Sequence, residues 1–308
     1  MHAAVLHAFG QPVPGTFAEP ESKPDAVVVE VLAAGLNHVD LLKASGTFYT
    51  GPPVLPSVVG SDGVGRDPAG RVVYFDQSIA PFGSFAERTL VPAASTIEVD
   101  TDVDPVILAA LGNAGLAAHT ALQWRAQLEP GETVVVLGAT GVVGGLVIQV
   151  ARLLGAQRVI AAGRDSEGLV RAAELGADKV VRLDDADGVA DALAGGDVIV
   201  DLLWGPAATA ALTHAAHSVR LIQMGHLAAV HTPLAAPLVR SHAVDIRGHA
   251  VFHVPYDARA AAYRWIAAKA AEGQLIIDTE PIRIDEIEAA WRRQAAGTHG
   301  VKLVVVPD

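Results

Sequence analysis

The chain has 308 residues, of which 51% are hydrophobic and 18% are charged, so it is long enough to form two domains with packed cores. Its 34 acidic and 22 basic residues give a formal charge of -12 without any Lys/Arg cluster, which argues against nucleic-acid binding. The chain contains no cysteine, which excludes disulfides, thiolate nucleophiles and every zinc site that needs sulfur.

The first residues of the chain and the length of its apolar runs indicate where in the cell we expect the protein. The first residues, MHAAVLHAFGQPVPG, lack the basic and then apolar order of a signal peptide. The longest apolar runs have the length of strands and fall short of the about eighteen residues that a membrane span needs. We therefore expect a cytoplasmic protein with no membrane span.

Up to about Leu111 the chain consists of short β-rich segments. AVVVEVLAAG, GRVVYF and FAERTLVP are separated by Pro/Gly stretches such as GPPVLPSVVGSDGVG. This pattern predicts a partly open, barrel-like β domain. The glycine pattern over Gly60–Gly65 is interpreted as turn structure.

From about Leu116 strand-like and helix-like segments alternate. The strand-like segments are TVVVLG, RVIAAG, KVVRL, DVIVDLLWG, VRLIQMG and VDIRGHAVF, and helices are predicted over Val142–Leu154, Ser166–Leu175, Pro206–Ala216 and Tyr256–Glu272. Ser166 is the predicted N-cap of the second helix, and Gly176 ends it. Such alternation predicts a parallel sheet covered on both faces. The tail predicts a strand, a helix and a strand that return to the first domain.

A glycine cluster stands between the strand TVVVLG and the helix that follows it. The G-x-G-x-x-G spacing, with alanine for the first glycine, falls on Ala139, Thr140, Gly141, Val142, Val143 and Gly144. Gly141 would let a pyrophosphate approach the backbone, and Gly144 would let the helix pack close to the strand. The start of a helix also favours phosphate. A tight turn without a ligand is the alternative, but the βαβ context favours a dinucleotide site.

The end of the second strand of this region distinguishes the two nicotinamide dinucleotides. An NAD site has a carboxylate there, about twenty residues after the glycines, to bind the ribose 2′-hydroxyl. Here Gly163 has that place, and Arg164 offers a planar cation suited to a 2′-phosphate. Asp165 could instead pair with Arg164 or itself bind the ribose. We expect NADP(H), with Arg182 close enough in sequence to assist.

The order of a β domain, a dinucleotide domain and a returning tail carries several further motifs. They are AAGLNHVDLLKASGTFY, LPSVVGSDGVG, GSFAERTLVP, GNAGLAAHTAL, GATGVVGG and LIQMG. Together they resemble the medium-chain dehydrogenase/reductase superfamily, and most closely its zinc-free NADPH:quinone oxidoreductase branch. The resemblance implies an α/β protein with a GroES-like, partly open β-barrel catalytic domain over residues 1–115, completed by 275–308, and a doubly wound Rossmann domain over 116–274. It also implies that Gly225, which ends LIQMG, binds the cofactor.

Zinc-dependent members of this superfamily carry a cysteine near position 37 and a His-Glu pair after the glycine at position 60. This chain has Asn37 and then Ser61-Asp62 there, so we expect no zinc. The twelve histidines form no His-x-x-x-His pair on a helix. His38 and His119 are therefore expected to be ordinary polar or structural residues.

Without a Lewis acid the substrate must itself be electrophilic. A quinone or an α,β-unsaturated ketone accepts hydride from NADPH when it is positioned, given a hydrogen-bond donor for the developing oxyanion, and protonated. The resemblance implies that Asn37 lies near the nicotinamide ribose and the substrate, and the alternative is a turn-stabilising asparagine after Gly35. The tyrosine common in the branch is Phe48 here, so Tyr49 is the candidate hydrogen-bond or proton donor unless it is an exposed loop residue.

Three functions remain open at this point. The favoured one is hydride transfer from NADPH to a small quinone or enone, and the second is enoyl-thioester reduction. The third is a non-catalytic NADPH-binding redox sensor, which the missing hydroxyls at Phe48 and Ala117 favour. The resemblance, together with an apolar edge strand near Val244–Val251, also predicts a homodimer.

Overall fold

Strands and helices follow one another as the hydrophobic pattern predicts, β-rich at first and alternating later. The computed structural model describes residues 1–184 and 188–307. Its strands are β1 (His2–Leu6), β2 (Val13–Thr16), β3 (Ala26–Gly35), β4 (Ser57–Val58), β5 (Gly63–Arg66), β6 (Val72–Phe75), β7 (Arg88–Pro92), β8 (Ile97–Glu98), β9 (Thr133–Leu137), β10 (Arg158–Gly163), β11 (Lys179–Arg182), β12 (Val198–Asp201), β13 (Arg220–Gln223), β14 (Asp245–Gly248), β15 (Thr279–Arg283) and β16 (Lys302–Val306). Its helices are α1 (His38–Ala44), α2 (Pro105–Thr120), α3 (Val142–Leu153), α4 (Ser166–Glu174), α5 (Val189–Ala192), α6 (Pro206–Thr213), α7 (Ala236–Ser241), α8 (Tyr256–Ala271) and α9 (Ile287–Ala296).

The chain divides into two units. The first comprises Met1–Ala114 and Tyr263–Asp308, and the second is Gly115–Ala262. Tyr263 falls in the first unit although the sequence placed it in the second domain. Its ring stacks on that of Tyr74 with centroids 3.9 Å apart, and its hydroxyl donates to the carbonyl of Leu108 at 2.9 Å. These buried contacts explain why the second half of α8 belongs with the β-rich unit.

The first unit is the GroES-like, partly open barrel that the resemblance implies. Its main sheet has the strand order β15-β16-β3-β5-β6-β8, with β7 paired to β3, and β2-β1-β4 form a smaller sheet. The tail returns here as predicted, because β16 pairs antiparallel with the end of β3. The core includes Phe75, Phe85 and Trp291, and burying a large apolar side chain contributes about 1.5–3 kcal/mol.

The second unit is the predicted doubly wound Rossmann domain. Its six parallel strands have the order β11-β10-β9-β12-β13-β14, which is the 3-2-1-4-5-6 order of dinucleotide-binding sheets. The inner strands β9, β10 and β12 are almost entirely buried, as expected for a parallel sheet covered on both faces. The carboxyl ends of β9 and β12 lie at the point where the strand order reverses.

Two local predictions were wrong. The N-cap of α4 is Asp165 and not Ser166, because the extended residue before the helix is the aspartate and its side chain accepts a hydrogen bond from the N–H of Glu167. The second half of Gly60–Gly65 is strand β5 and not a turn. A Cβ on Gly65 would lie 2.3 Å from the carbonyl oxygen of Glu30, so this glycine serves the close approach of β5 to β3.

Helix α2 is bent in its middle. Gly112 has φ -47 and ψ -107, outside the helical range, and a π-helical turn over Ala121–Ala126 follows the helix. The segment Pro105–Ala126 is long and apolar enough to cross a membrane, but 72% of its most apolar window is buried. Such burial is what a helix of a protein core shows.

Candidate active site

Asn37 stands between β3 and α1, and both ends of its side-chain amide are used. Nδ2 donates to the carbonyl of Gly35 at 2.8 Å and to Oδ1 of Asp62 at 2.7 Å, while Oδ1 accepts from Nζ of Lys302 at 2.6 Å. Acceptors on one side and an ammonium on the other allow a single orientation of the amide. Both amide protons are therefore occupied, and one lone pair of Oδ1 is what Asn37 can offer to a ligand.

Asp62 is a buried carboxylate surrounded by donors. Besides Asn37, it accepts from the backbone N–H of Asn113 at 2.7 Å and from the hydroxyl of Tyr74 at 3.2 Å, both on Oδ2. Burial raises the pKa of Asp62 to about 7, although the Lys302 ammonium opposes this shift. The absence of a side chain at Gly112 makes room for this carboxylate, because a Cβ there would lie 2.3 Å from Oδ2 of Asp62.

A second carboxylate, Asp40, joins the same group from α1. It accepts from the backbone N–H of Asn37 at 2.8 Å and from the hydroxyl of Ser61 at 2.5 Å, while its own N–H donates to the backbone carbonyl of Asn37 at 3.1 Å. Nζ of Lys43 donates to that hydroxyl at 2.8 Å. Burial raises the pKa of Asp40, and the nearby Lys43 ammonium lowers it. Sequence reasoning missed the charged partners of Asn37, which are Asp40, Asp62 and Lys302.

The residues at this position do not suit a zinc ion. Ser61, where zinc-dependent members have histidine, uses its hydroxyl between Asp40 and Lys43. The Asn37 oxygen accepts a hydrogen bond from the Lys302 ammonium, and this positive charge disfavours a metal cation beside it. Within residues 1–184 and 188–307, no group of three or more His, Cys, Asp or Glu side chains is placed to hold a metal. That the protein is zinc-free stays a prediction.

Tyr49 lies in the loop after α1 and is 70% exposed. Its ring contacts that of Phe48, with centroids 4.1 Å apart, and Phe48 is the buried member of the pair. Partial desolvation raises the pKa of the Tyr49 phenol. The side chain is thus the exposed loop tyrosine of the alternative interpretation, and its role as a donor stays a prediction.

The glycine loop of the second unit has the form that a pyrophosphate needs. A Cβ on Gly144 would lie 2.3 Å from the carbonyl oxygen of Gly138, so the helix packs directly on the loop. A Cβ on Gly141 would meet only that oxygen, at 3.7 Å, which leaves its outer side open. Gly141 is the N-cap of α3 and provides no side-chain cap for the N–H groups of Val142 and Val143. A bound phosphate would satisfy these donors.

A carboxylate side chain at the end of β10, as in an NAD site, would require Thr140 to shift. A Cβ on Gly163 would lie 2.6 Å from the methyl carbon of Thr140. Asp165 is engaged as the helix cap, with Oδ1 3.2 Å from the N–H of Glu167. The cationic Arg164, next to Gly163, is exposed at this strand end.

The two arginines near this strand end differ. Arg182 donates to Oδ1 of Asp184 at 3.0 Å and to the hydroxyl of Ser166 at 2.8 Å. Arg164 is exposed and makes no hydrogen bond or ion pair with any residue in the described part of the chain. An anion that binds its guanidinium would therefore break no pair among these residues.

Two further residues lie at the carboxyl edge of the parallel sheet. Oδ1 of Asp201 accepts from the N–H groups of Leu203 and Trp204 at 2.9 and 2.8 Å, while its buried Oδ2 has no hydrogen-bond partner among the described residues. A Cβ on Gly225 would lie 2.6 Å from the carbonyl oxygen of Leu202. Gly225 thus has a packing role, and an orphaned acceptor stands near the end of the same sheet. The open loop, the uncapped helix and this acceptor fit a dinucleotide.

His119 is buried in the second unit. It is 8% exposed, and burial lowers its pKa to about 4, so the imidazole is neutral at pH 7. His38 lies exposed at the start of α1. Neither histidine belongs to a cluster of ligand side chains in the regions that the structure describes.

Comparison with known proteins gives matches along the whole chain. Residues 142–268 match a family described as zinc-binding dehydrogenase, a segment that contains neither Asn37 nor Ser61. The quinone oxidoreductase of Thermus thermophilus, solved also in complex with NADPH, superposes with a TM-score of 0.85 and 29% identity over 99% of this chain and 100% of that chain.

Two curated relatives match over part of the chain. A trans-enoyl reductase of Aspergillus terreus is 29% identical over 193 residues, 54% of this chain and 51% of the relative. A chloroplastic NADPH-dependent alkenal/one oxidoreductase of Arabidopsis thaliana is 33% identical over 178 residues, 53% of this chain and 46% of the relative. The chain thus spans about half the length of these curated relatives.

The fold, the glycine loop and these similarities define a medium-chain dehydrogenase/reductase. The GroES-like barrel and the 3-2-1-4-5-6 sheet are the two parts of that architecture. Within the superfamily the chain is similar to quinone oxidoreductases.

Proposed function

We propose that this protein is an oxidoreductase that transfers hydride from NADPH to a quinone or an activated α,β-unsaturated carbonyl, without zinc. The observation that carries the proposal is the buried group around Asn37. Asn37 and Asp62 stand at positions where the resemblance implies metal ligands in zinc-dependent members, and the Asp40 carboxylate and the Lys302 ammonium are hydrogen-bonded to Asn37. A site of this kind suits a substrate that is electrophilic without a Lewis acid.

The cofactor part of the proposal concerns the second unit. The loop Ala139–Gly144 holds the pyrophosphate on the N–H groups at the start of α3, and Gly225 borders the same edge of the sheet. Arg164 pairs with the 2′-phosphate, because Gly163 and Thr140 leave no place for a ribose-binding carboxylate. NADPH supplies the hydride from C4 of its nicotinamide.

The substrate part concerns Asn37 and Tyr49. Both protons of the Asn37 amide are donated within the protein, so Asn37 does not stabilise the substrate oxyanion as a donor. Its free Oδ1 lone pair accepts a hydrogen bond from a hydroxyl of the nicotinamide ribose. The oxyanion then takes its proton from solvent or from the exposed phenol of Tyr49.

The test is a screen of NADPH oxidation, followed by the loss of its absorbance, with quinones, enones and enoyl thioesters. We expect turnover with quinones or enones, since the relatives include a quinone oxidoreductase and an alkenal/one oxidoreductase. Turnover restricted to enoyl thioesters would favour the second candidate, which the similarity to a trans-enoyl reductase supports. NADPH binding without turnover of any substrate would leave the sensor function.

The proposal includes a homodimer formed through β14. This strand is the last of the parallel sheet, and its Ile246 is 43% exposed. Phe252, which follows the strand, is 42% exposed. An unpaired edge with apolar side chains is a surface that a second copy can cover. A monomeric mass by light scattering would contradict it. A cytoplasmic location remains a prediction, which fractionation of the source cells would test.

A further inference from the structure

We propose that Lys302 is a positioning residue, whose buried ammonium, balanced by Asp62, fixes the Asn37 amide in the orientation that leaves one Oδ1 lone pair for the ligand. The inference rests on the proposed function, because that function gives Asn37 its contact with the nicotinamide ribose. Lys302 opens β16, and the apolar run LVVV follows it. Nothing in the pattern of that strand calls for a charge.

The first step is the path of the Lys302 side chain. It is 4% exposed, and Nζ donates to the carbonyl of Leu36 at 2.9 Å as well as to Asn37. A Cβ on Gly35 would lie 3.1 Å from Cε and 3.4 Å from Nζ of Lys302. The absence of a side chain at Gly35 therefore lets the ammonium lie across the end of β3 and reach the amide.

The second step is the balance of charge. Burial lowers the pKa of Lys302, and the carboxylates of Asp62 and Asp40 oppose that shift. In return, the ammonium favours the ionised form of Asp62, which accepts on both oxygens, including from Asn37 on Oδ1. Lys302 thus orients the amide in two ways. It donates directly to Oδ1, and it stabilises the Asp62 carboxylate that accepts from Nδ2.

The third step is the cost of the arrangement. Burying an ammonium costs desolvation free energy, and an apolar residue of similar volume often makes the protein equally stable or more stable. The ammonium donates to the carbonyl of Leu36 and to Oδ1 of Asn37, and both residues follow the end of β3. The contacts of this lysine therefore serve to place Asn37.

The test uses Lys302→Met, which keeps the stem and removes the charge and the donors. We expect kcat to fall about tenfold or more, since small misplacements of a group in the active site cost that much. NADPH affinity should fall by no more than about tenfold, the worth of one hydrogen bond to the ribose, because the proposed phosphate contacts lie in the second unit. The matched control is Lys269→Ala, which removes a lysine paired with Glu272 on the surface of the first unit.

A second readout does not depend on turnover. Asn37 and Asn113 are the only asparagines of the chain, so selective ¹⁵N-asparagine labelling gives two pairs of side-chain amide signals. In wild type the Asn37 pair should exchange slowly with solvent, because both protons are buried in hydrogen bonds. In Lys302→Met this pair should shift and exchange faster, whereas Lys269→Ala should leave it unchanged.

Chemical rescue separates a missing ammonium from a damaged fold. Lys302→Ala deletes the atoms from Cγ to Nζ, which propylammonium replaces. Propylammonium should restore kcat about tenfold and return the Asn37 signals, whereas tetramethylammonium at equal ionic strength, which has no N–H, should do neither. If both neutral variants fail to fold, Lys302→Arg keeps the charge but moves the donors, and it should shift the Asn37 signals and lower kcat.

Several results would overturn the inference. One is wild-type kcat in Lys302→Met or, should the neutral variants not fold, in Lys302→Arg. Another is a loss of kcat with unchanged Asn37 signals. Absence of turnover in the wild type would instead refute the proposed function, and the amide signals would still report whether Lys302 positions Asn37.

Discussion

Gly144→Ala tests whether the cofactor loop depends on direct packing of α3. The added Cβ would lie 2.3 Å from the Gly138 carbonyl oxygen and 2.6 Å from Cα of Ala139, so the loop must withdraw by about 1 Å to reach ordinary contact. Overpacking of this kind costs about 1–3 kcal/mol, and the better helix propensity of alanine offsets about 1 kcal/mol. We expect a net loss of unfolding free energy of up to about 2 kcal/mol and NADPH binding weaker by about tenfold to a hundredfold.

Gly141→Ala is the matched control within the same loop. Its Cβ would meet only the Gly138 carbonyl oxygen at 3.7 Å, and its φ of -91 suits alanine, so stability should change by less than about 1 kcal/mol. NADPH binding should still weaken, because the methyl group stands where the pyrophosphate approaches. Urea unfolding without cofactor and fluorescence titration with NADPH measure both effects. Wild-type stability and NADPH affinity in Gly144→Ala would refute the packing argument.

Three further predictions concern charge and metal. Arg164→Ala should weaken NADPH binding by about 1.5–3 kcal/mol, one to two decades in affinity, and leave NADH binding unchanged. Equal losses of affinity in calorimetric titrations of both cofactors would mean that Arg164 has only a structural role. Elemental analysis after dialysis against a chelator should find no zinc, and stoichiometric retained zinc would defeat this expectation. The pKa of native Asp62 is raised to about 7 from an ordinary value of 3.8, so the native protein keeps this proton longer and raising the pH through this window favours unfolding. As the pH rises from 3.8 to about 7, the free energy of unfolding of the wild type should fall by at most about 4 kcal/mol relative to that of Asp62→Asn. A difference between the two proteins in urea unfolding that does not depend on pH would contradict this.

The periodicity of the sequence predicted the sheets, because each strand and helix carries its own pattern of buried and exposed residues. The charged group around Asn37 could not be found that way. Asn37, Asp62 and Lys302 are far apart in sequence, and they meet only because β3 lies between β5 and β16. Two signals were available: a lysine opening an apolar strand, and Asp40 three residues after Asn37 at the start of a helix. Neither names its partner.

The methyl group of Thr140 beside Gly163 makes these two positions interdependent. An aspartate introduced at Gly163 alone would collide with Thr140, whose methyl carbon stands 2.6 Å from the new Cβ. Shortening Thr140 alone would open space without adding a ribose-binding group. Under the proposed preference for NADPH, an evolutionary path to NADH that changes one residue at a time would therefore pass through a protein that binds both cofactors poorly. Directed evolution toward NADH should vary both codons in the same library.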